Sequence, residues 1–363
     1  MIKKSKINIV DENAEKSKIT FNLNKFLRKD LNNLIKNIDS KYGFLISINN
    51  KIIYEKYSGN NKKTRFRIFS CSKPITGLAI ILLVQMNKLK LTDTLDKYCI
   101  NIPYNNKITI LHLLCHSSGI YDFTSELYFH LKPLELFNNI IDNNNTKFIE
   151  FETMIDIINK NKSYFKPLKK ADEKYIHSNY NNTGYDILGY IIYLASGMKT
   201  DQFIKNYIFD KLNMKDSGFQ HDKHKDESIP YEKNGKIGIK EEQNWFCGNA
   251  YITCTLRDYN KFMSNYANLL RPKYKKIYEK LYYFYKEDNK YQFTHPGSGD
   301  FSHLHAECKE DYKALSKTIM CKYINQNINI IISENYSNEN GFFKGTPKNW
   351  IQVMNIIDIY FNK

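Results

Sequence analysis

The segment Ser70-Cys71-Ser72-Lys73 contains the residue types that nucleophilic catalysis needs. A serine hydroxyl attacks a carbonyl carbon poorly unless a base within hydrogen-bonding distance takes its proton. Positions three apart share one face of a helix, so we expect the amine of Lys73 to point at the hydroxyl of Ser70. A desolvated lysine has a lowered pKa and can then act as the base. The segment therefore predicts a serine nucleophile with a lysine base.

The surrounding sequence separates Ser70 from other matches to the same pattern. Ser-x-x-Lys is a weak motif in so lysine-rich a chain, and Ser163 to Lys166 matches it too, but Pro167 follows and no apolar helix begins there. Ser70 precedes residues 74–84, which are apolar almost all round and predict a helix buried in the core. The buried helix that follows favours Ser70 as the nucleophile. Judged from the motif alone, Ser70 to Lys73 could also be an ordinary polar start of a helix.

A second set of polar groups, Tyr180-Asn181-Asn182, lies about 110 residues further on, directly before a predicted helix. A phenol there can pass a proton between the nucleophile and a leaving group, and Asn182 can hold a substrate amide. The Tyr-x-Asn pattern also occurs at Tyr104, Tyr266, Tyr323 and Tyr336. None of those four leads straight into a helix. The triplet His177-Ser178-Asn179 is a rival alignment, and we prefer Tyr180 because it keeps a short spacing to Gly184.

The third set is His295-Pro296-Gly297-Ser298. A glycine lets a strand backbone approach a substrate closely. The backbone N–H groups of Ser70 and Ser298 would then form an oxyanion hole. A single histidine before Pro-Gly is more often a turn residue, so this prediction depends on the order of the three sets along the chain.

Strand and helix patterns indicate how these residues are positioned. Residues 44–48 and 52–57, separated by Asn49-Asn50-Lys51, predict one hairpin, and residues 318–323 and 328–332 predict another. Helical spacing is found at 23–35, 74–84 and 183–195 and after Thr346, and the last helix has its apolar face at Trp350, Val353, Met354, Ile357 and Tyr360. We therefore expect one sheet assembled from both ends of the chain, with the helices of the middle segment inserted between them.

The predicted domain organisation follows from these elements. Residues 1–22 are polar and form an extension, and residues 23–363 form one domain. Its sheet lobe comprises about 23–69 and 290–363, and its helical lobe about 70–289. Within the helical lobe, residues 126–175 are interpreted as an insertion of mixed helices and loops.

The three sets, in this order, resemble the serine β-lactamase and penicillin-binding-protein superfamily. The likeness is greatest to its class C-like branch, which includes family VIII esterases, D-aminopeptidases and D-Ala-D-Ala carboxypeptidases. It runs over most of residues 42–335. Besides the three sets, the segments that carry it are 89–93, 108–119 (Ile-Thr-Ile-Leu-His-Leu-Leu-Cys-His-Ser-Ser-Gly), 180–189, 212–219 and 248–263. The resemblance implies an α/β (α+β) transpeptidase-like fold: a largely antiparallel sheet flanked by helices, with an inserted, mostly helical lobe.

The resemblance also implies a role for each site residue. Ser70 would be acylated, Lys73 and Tyr180 would share acid–base duty, and Asn182 would contact the substrate. His295 and Gly297 stand where classical β-lactamases have Lys-Thr-Gly. A lysine there recognises the carboxylate of penicillins, whereas histidine, with a pKa near 6.5, is mostly neutral at pH 7, so we do not expect strong turnover of β-lactams. Esterase and D-aminopeptidase relatives have His-x-Gly, so the predicted substrate is a small molecule or peptide with an ester, amide or β-lactam bond.

Composition limits the other classes of function. The formal net charge is +16, which would suit binding to nucleic acid, but no arginine-rich block or zinc-finger spacing accompanies it. Scattered lysines on solvated faces are the simpler interpretation. The rival hypothesis is a catalytically silent relative used for binding or assembly, including RNA binding through its basic surface. The sequence leaves the natural substrate and the oligomeric state open.

Cysteine, histidine and apolar patterns complete the expectations. Seven cysteines without a CxxC pair predict buried reduced thiols, and no secretory signal or membrane-spanning stretch is seen, so we expect a cytoplasmic protein. The pairs His303/His305 and His221/His224 lack partner ligands at metal-binding spacing. We therefore expect no metal and no cofactor, and we expect His116 and the Ser117/Ser118 region to be structural.

Overall fold

The structure of the chain is a computed structural model. It describes residues 25–36, 38, 40–122, 151–161, 166–167, 180–222, 224–228, 248–282, 285–287, 290–300, 315–323, 327–334, 353 and 355–356. For 285–287, 290–300 and 315–323 it describes the backbone and, of the side chains, only that of Met320. Ser163, His177, His303, His305 and all residues of the last predicted helix except Val353, Asn355 and Ile356 lie outside the described residues, as does most of the 126–175 insertion.

The chain divides into two compact units. One comprises Met1–Asp39 with Asn338–Lys363, and the other comprises Ser40–Ser337. In the first unit residues 25–35 form helix α1, whose buried face includes Leu27, Leu31 and Ile35. The apolar spacing predicted this helix, but Phe26, expected on the same face, is 57% exposed. Val353, predicted on the apolar face of the last helix, is helical and buried.

A six-stranded antiparallel sheet forms the frame of the second unit. Its strands are β1 (Tyr42–Ile48), β2 (Lys51–Ser58), β6 (Tyr285–Glu287), β7 (Lys290–Asp300), β8 (Leu315–Tyr323) and β9 (Ile328–Glu334). They lie in the order β2-β1-β9-β8-β7-β6. The register pairs Phe44 with Ile332 at the junction of the two ends of the chain. Both predicted hairpins are present, and Asn49 and Asn50 adopt the positive φ values, 48° and 65°, that a tight hairpin turn requires.

Helices of the second unit follow one another between the two ends of the sheet. They are α2 (Lys73–Gln85), α3 (Ile110–Leu114), α4 (Phe151–Lys160), α5 (Asn182–Ser196), α6 (Thr200–Ile204), α7 (Leu256–Asn265) and α8 (Pro272–Tyr282). A small second sheet joins β3 (Phe66–Arg67), β4 (Ser217–Phe219) and β5 (Ile252–Cys254) in the order β3-β5-β4. Helix α7 packs against β1 and β9, so the predicted antiparallel sheet flanked by helices is confirmed.

Helix α2 lies at the centre of the core, as its composition predicted. Every residue from Lys73 to Leu83 is buried, because α5, α6 and α8 pack around it. Burying a leucine or isoleucine contributes about 1.5–3 kcal/mol, so this helix is a large part of the stability of the unit. Three buried phenols hold its beginning: Tyr259, Tyr282 and Tyr278 donate hydrogen bonds to the carbonyls of Cys71, Lys73 and Pro74 at 2.8, 3.2 and 2.9 Å.

Two further expectations are tested in the described part of the chain. Cys71, Cys115 and Cys254 are buried thiols, as expected, but Cys99 is exposed at the end of a short 3₁₀ turn. Among the described residues, no helix combines the length and the apolar character that crossing a bilayer would demand.

Ile331 offers a test of the sheet, because it is fully buried on β9 between β1 and β8. Ile331→Ala should lower the free energy of unfolding by about 2–5 kcal/mol through lost burial and an unfilled cavity. Leu194→Ala, at a 40% exposed position of α5, is the control and should change it by less than about 0.5 kcal/mol. Urea unfolding followed by circular dichroism measures both, and equal effects of the two changes would contradict this sheet order.

Candidate active site

Ser70 lies in a 3₁₀ turn, Phe69–Ser72, that runs directly into α2. In a 3₁₀ turn the side chains at positions i and i+3 are eclipsed, which brings Lys73 over Ser70. Phe69 is buried and has a φ of 45°, a backbone conformation that costs a non-glycine residue energy. Such strain persists only where the surroundings enforce it, and here it directly precedes the predicted nucleophile.

The amine of Lys73 is the centre of the site. Its Nζ lies within hydrogen-bonding distance of Ser70 Oγ at 2.9 Å, of Asn182 Oδ1 at 2.8 Å and of the carbonyl oxygen of Asn249 at 3.3 Å. The side chain is fully buried. Burial lowers the pKa of Lys73 to about 7, against the opposing effect of the carboxyl groups of Asp186 and Asp122. A large fraction of Lys73 is therefore neutral at neutral pH and able to accept a proton.

Tyr180 approaches Ser70 from the other side. Its hydroxyl donates to Ser70 Oγ at 2.6 Å, and its ring lies 4.8 Å from the Lys73 amine. Although 42% of the residue is exposed, the hydroxyl is desolvated, and this raises the pKa of Tyr180 well above its usual value. The phenol is therefore protonated at neutral pH and acts as a donor.

The ring of His116 packs against the ring of Tyr180. The two rings are stacked with centroids 4.5 Å apart. Nδ1 of His116 lies 3.0 Å from both the backbone nitrogen and the carbonyl oxygen of Asn181, so the tautomer of the imidazole decides which of the two it bonds. The sequence predicted a structural role for His116, and the structure places it against Tyr180.

The first turn of α5 positions Asn182. Asn181 caps this helix, because its Oδ1 accepts the backbone N–H of Gly184 at 2.7 Å. Asp122 holds the same turn: it accepts the N–H of Asn182 at 3.0 Å and the hydroxyl of Thr183 at 3.2 Å. The carboxylate satisfies donors at a helix N-terminus, where a negative charge is stabilised.

The segment 248–250 closes the buried side of the site. The carbonyl of Gly248 accepts the hydroxyl of Thr76 at 2.7 Å. A Cβ on Gly248 would overlap the carbonyl oxygen of Tyr185 in α5, so only glycine allows this approach. The next residue, Asn249, donates its side-chain amide to Asp186 Oδ2 at 2.6 Å and turns its carbonyl to Lys73.

Strand β7 carries the third predicted set. The register pairs His295 with Met320, Gly297 with Thr318 and Ser298 with Lys317 on β8. β7 runs alongside the 3₁₀ turn that contains Ser70. Pairing with β6 ends at Gln292, so the rest of β7 has no second partner strand among the strands that the structure describes. The backbone of the third set therefore follows the turn of the nucleophile, and its side chains lie outside the description.

Four of the predicted site residues are thus brought together by hydrogen bonds: Ser70, Lys73, Tyr180 and Asn182. Three residues that hold them were not predicted: Asp122, Asp186 and Asn249. Asp186 follows Asn182 by four positions, so helical periodicity alone would have placed both on one face. No comparable signal in the sequence marks Asp122 or Asn249, which come from distant segments.

Comparison with known proteins gives the family of the chain. Residues 40–290, more than half of the chain, match the family described as Beta-lactamase. The chain belongs to the beta-lactamase family.

Two curated proteins are similar to part of the chain. The chain is 30% identical over 205 residues to penicillin-binding protein 4* of Bacillus subtilis (strain 168), a match over 52% of this chain and 41% of that protein. It is 30% identical over 260 residues to protein flp of Staphylococcus aureus (strain MW2), over 64% of this chain and 48% of that protein. These matches span less than half the length of either relative.

A solved structure shares the fold over almost the whole chain. D-amino acid amidase from Ochrobactrum anthropi SV3, in complex with D-phenylalanine, superposes with a TM-score of 0.66 at 18% identity. The match covers 93% of this chain and 99% of the amidase. The predicted fold class is confirmed.

Gly248→Ala tests how closely segment 248–250 must approach α5. The new Cβ meets helix backbone that cannot move aside, so we expect a loss of about 1–3 kcal/mol in the free energy of unfolding. The control is Gly184→Ala in α5, whose Cβ would make only ordinary contacts of 3.5 Å or more. That change should be neutral or stabilise by up to about 1 kcal/mol. Equal tolerance of both alanines in urea unfolding would contradict the close approach.

Proposed function

We propose that this protein is a serine hydrolase that acts through an acyl-enzyme on Ser70, with an ester, amide or peptide, or β-lactam bond as substrate. The observation that carries the proposal is the position of Ser70 Oγ, which lies 2.9 Å from a buried amine and accepts a hydrogen bond from a phenol at 2.6 Å. Hydrogen-bonding distance between nucleophile and base is the geometry that activates a serine. Membership of the beta-lactamase family supports the same reaction class.

The two groups around Ser70 have different protonation states, and this suggests their roles. Neutral Lys73 keeps two N–H bonds, which Asn182 and Asn249 can accept, and its lone pair takes the proton of Ser70 while Oγ attacks the carbonyl carbon of the substrate. Tyr180, whose raised pKa keeps it protonated, donates its proton to the leaving alcohol or amine and recovers one from the Lys73 ammonium. In the second step water attacks the acyl carbon and gives a proton to this pair of residues. The bond from that carbon to Ser70 Oγ then breaks, Oγ receives the proton from the pair, and the acid product is released. In this proposal Lys73 is therefore the base and Tyr180 is the proton donor.

Stabilisation of the oxyanion is assigned to backbone groups. In this proposal the N–H groups of Ser70 and Ser298 bind the negative oxygen of the tetrahedral intermediate. The path of β7 alongside the Ser70 turn supports this assignment. Asn182, whose Oδ1 holds Lys73, would present its NH₂ group to a substrate carbonyl.

Substrate preference is proposed from His295 and from the relatives. A neutral imidazole at position 295 gives less attraction to a substrate carboxylate than a lysine would. We therefore propose esters and amides ahead of penicillins, which agrees with the likeness of the fold to that of a D-amino acid amidase. A cytoplasmic location stays a prediction.

Ser70→Ala tests the nucleophile. The variant should lose covalent labelling by a fluorophosphonate probe in intact-mass spectra, and hydrolysis of p-nitrophenyl esters should fall by about 10³-fold or more. Ser72→Ala is the matched control, because Ser72 is buried and its hydroxyl accepts the N–H of Ile252 at 3.2 Å. Labelling should persist in that variant. A labelled Ser70→Ala protein, or a wild type that binds RNA in low salt and takes no label, would contradict the hydrolase and favour a binding protein.

The pH dependence of labelling tests the base. Lys73 has a lowered pKa in the folded protein, so its reactive neutral form is lost as pH falls below about 7. The second-order rate constant of labelling should therefore rise about tenfold per pH unit up to about 7 and then level off. Lys73→Arg, which stays protonated at every accessible pH, should label at least about 100-fold more slowly. A rate that falls with rising pH, or an arginine variant with the wild-type profile, would be the contrary result.

A further inference from the structure

His116 has a backbone conformation that histidine rarely adopts. Its φ is 55°, in the left-handed region, at the second residue after the end of α3. The backbone N–H of His116 donates to the carbonyl of Leu113 at 3.2 Å. The N–H of Ser117 donates to the carbonyl of His112 at 2.9 Å. Helices that end with this pair of bonds usually have glycine at the left-handed position, because a side chain there costs energy. The turn itself therefore does not explain a histidine at this position.

The imidazole of His116 belongs to a group of buried rings. It is 4% exposed, and its centroid lies 4.5 Å from that of Tyr180 and 5.0 Å from that of Tyr185. Tyr185 is buried in α5, where its hydroxyl donates to the carbonyl of Leu114 at 3.1 Å and lies 3.0 Å from the hydroxyl of Tyr282. Packing and hydrogen bonds thus fix the surroundings of the imidazole.

Tyr180, in contrast, is 42% exposed, although its hydroxyl has to stay 2.6 Å from Ser70 Oγ. A phenol on two rotatable bonds loses rotamer freedom when it is held in one orientation. Stacking on His116, with 29° between the ring planes, favours one orientation of the Tyr180 ring. Nδ1 of His116 also lies 3.0 Å from the backbone nitrogen and the carbonyl oxygen of Asn181, the next residue along the chain. His116 therefore contacts both the ring of Tyr180 and the backbone beside it.

We propose that His116 is a positioning residue that holds the ring of Tyr180, by stacking, in the orientation in which its hydroxyl reaches Ser70 Oγ. The proposal rests on the proposed function. There the bond from the carbonyl carbon to the leaving oxygen breaks, the phenol proton passes to that oxygen, and Tyr180 recovers a proton from the Lys73 ammonium. Without the imidazole the Lys73 base stays in place and the donor is misplaced. The loss should therefore fall on substrates whose leaving group needs a proton.

The experiment compares two esters with the same acyl group, p-nitrophenyl acetate and p-nitrobenzyl acetate, by the kcat/KM of each. p-Nitrophenolate is stable enough to leave without a proton, whereas the benzylic alkoxide is not. Tyr180→Phe supplies the reference pattern. It should lower kcat/KM for the benzyl ester by about 100-fold or more and for the phenyl ester by less than about tenfold.

His116→Asn removes the ring and keeps a residue type that tolerates the left-handed backbone. It should lower kcat/KM for the benzyl ester by about 10- to 30-fold and for the phenyl ester by less than about threefold. His116→Phe retains a ring that can stack, so its ratio of the two kcat/KM values should stay within about threefold of the wild type. In a Tyr180→Phe background, His116→Asn should change the ratio no further, because the two residues act as one unit.

Two more variants separate this role from a structural one. His116→Gly serves if the asparagine variant does not fold, because glycine suits the left-handed backbone, and it should change the ratio in the same direction. His112→Asn is the matched control in the same short helix. There a ring nitrogen of His112 lies 3.1 Å from the backbone nitrogen of Thr109 in the capping box of α3. This change should lower the melting temperature and leave the ratio unchanged.

The outcomes distinguish the role of His116 from the proposed function. A wild-type ratio in folded His116→Asn or His116→Gly overturns the positioning role, even if both esters react more slowly. A phenylalanine variant that behaves like the asparagine variant overturns stacking as its means. Tyr180→Phe with the wild-type ratio overturns the proton donor, and a wild type that hydrolyses neither ester overturns the hydrolase and this role with it. A ratio that falls in the asparagine variant and recovers in the phenylalanine variant is the expected result.

Discussion

The hydrogen bond between the buried amine of Lys73 and the hydroxyl of Ser70 is the interaction on which the rest of the site depends. Removing an ammonium group from water is costly, and the protein meets this cost by letting the amine lose its proton near neutral pH. An amine that is neutral, desolvated and 2.9 Å from a hydroxyl can accept that proton. Burial of the lysine and activation of the serine are therefore two consequences of the same packing.

Several separate segments must meet for this burial to occur. The 3₁₀ turn that begins with strained Phe69 places Ser70 and Lys73 at the start of α2. The first turn of α5 contributes Asn182, and segment 248–250 contributes the carbonyl of Asn249. Three tyrosines from α7 and α8 hold the carbonyls at the start of α2. Because these elements lie far apart along the chain, the site forms only when the helical layer and the sheet are assembled.

Local patterns in the sequence were enough to predict much of the frame. Alternation and Asn-rich turns predicted the two hairpins, and the apolar run after Ser70 predicted the buried helix, because these features depend on neighbours within ten or so residues. The spacing of Ser70 and Lys73 also depends on one turn only. Their meeting with Tyr180 was predicted from motif order, and the structure shows the phenol 2.6 Å from Ser70 Oγ.

Contacts between distant segments could not be read in the same way. Nothing near Asn249 in the sequence indicates that its carbonyl faces Lys73, 176 positions away, or that Asp122 holds the first turn of α5. Phe26 and Cys99 show that residue type alone does not predict burial. Both were expected to be buried because they are apolar, but they are exposed, because the tertiary structure decides which face of an element is covered. The side chain of His295 lies outside the described residues, so its proposed effect on substrate choice still derives from the sequence.

Direct titration of the Lys73 amine gives the sharpest test of this account. With ¹³C-labelled lysine, the Cε resonance that disappears in Lys73→Arg can be assigned to Lys73 and followed from pH 5 to pH 11. The account predicts a midpoint near 7, well below the ordinary lysine value. A Lys73 resonance that titrates near 10.4, like an exposed lysine, would contradict it, because the amine would then be charged at neutral pH and unable to take the proton of Ser70.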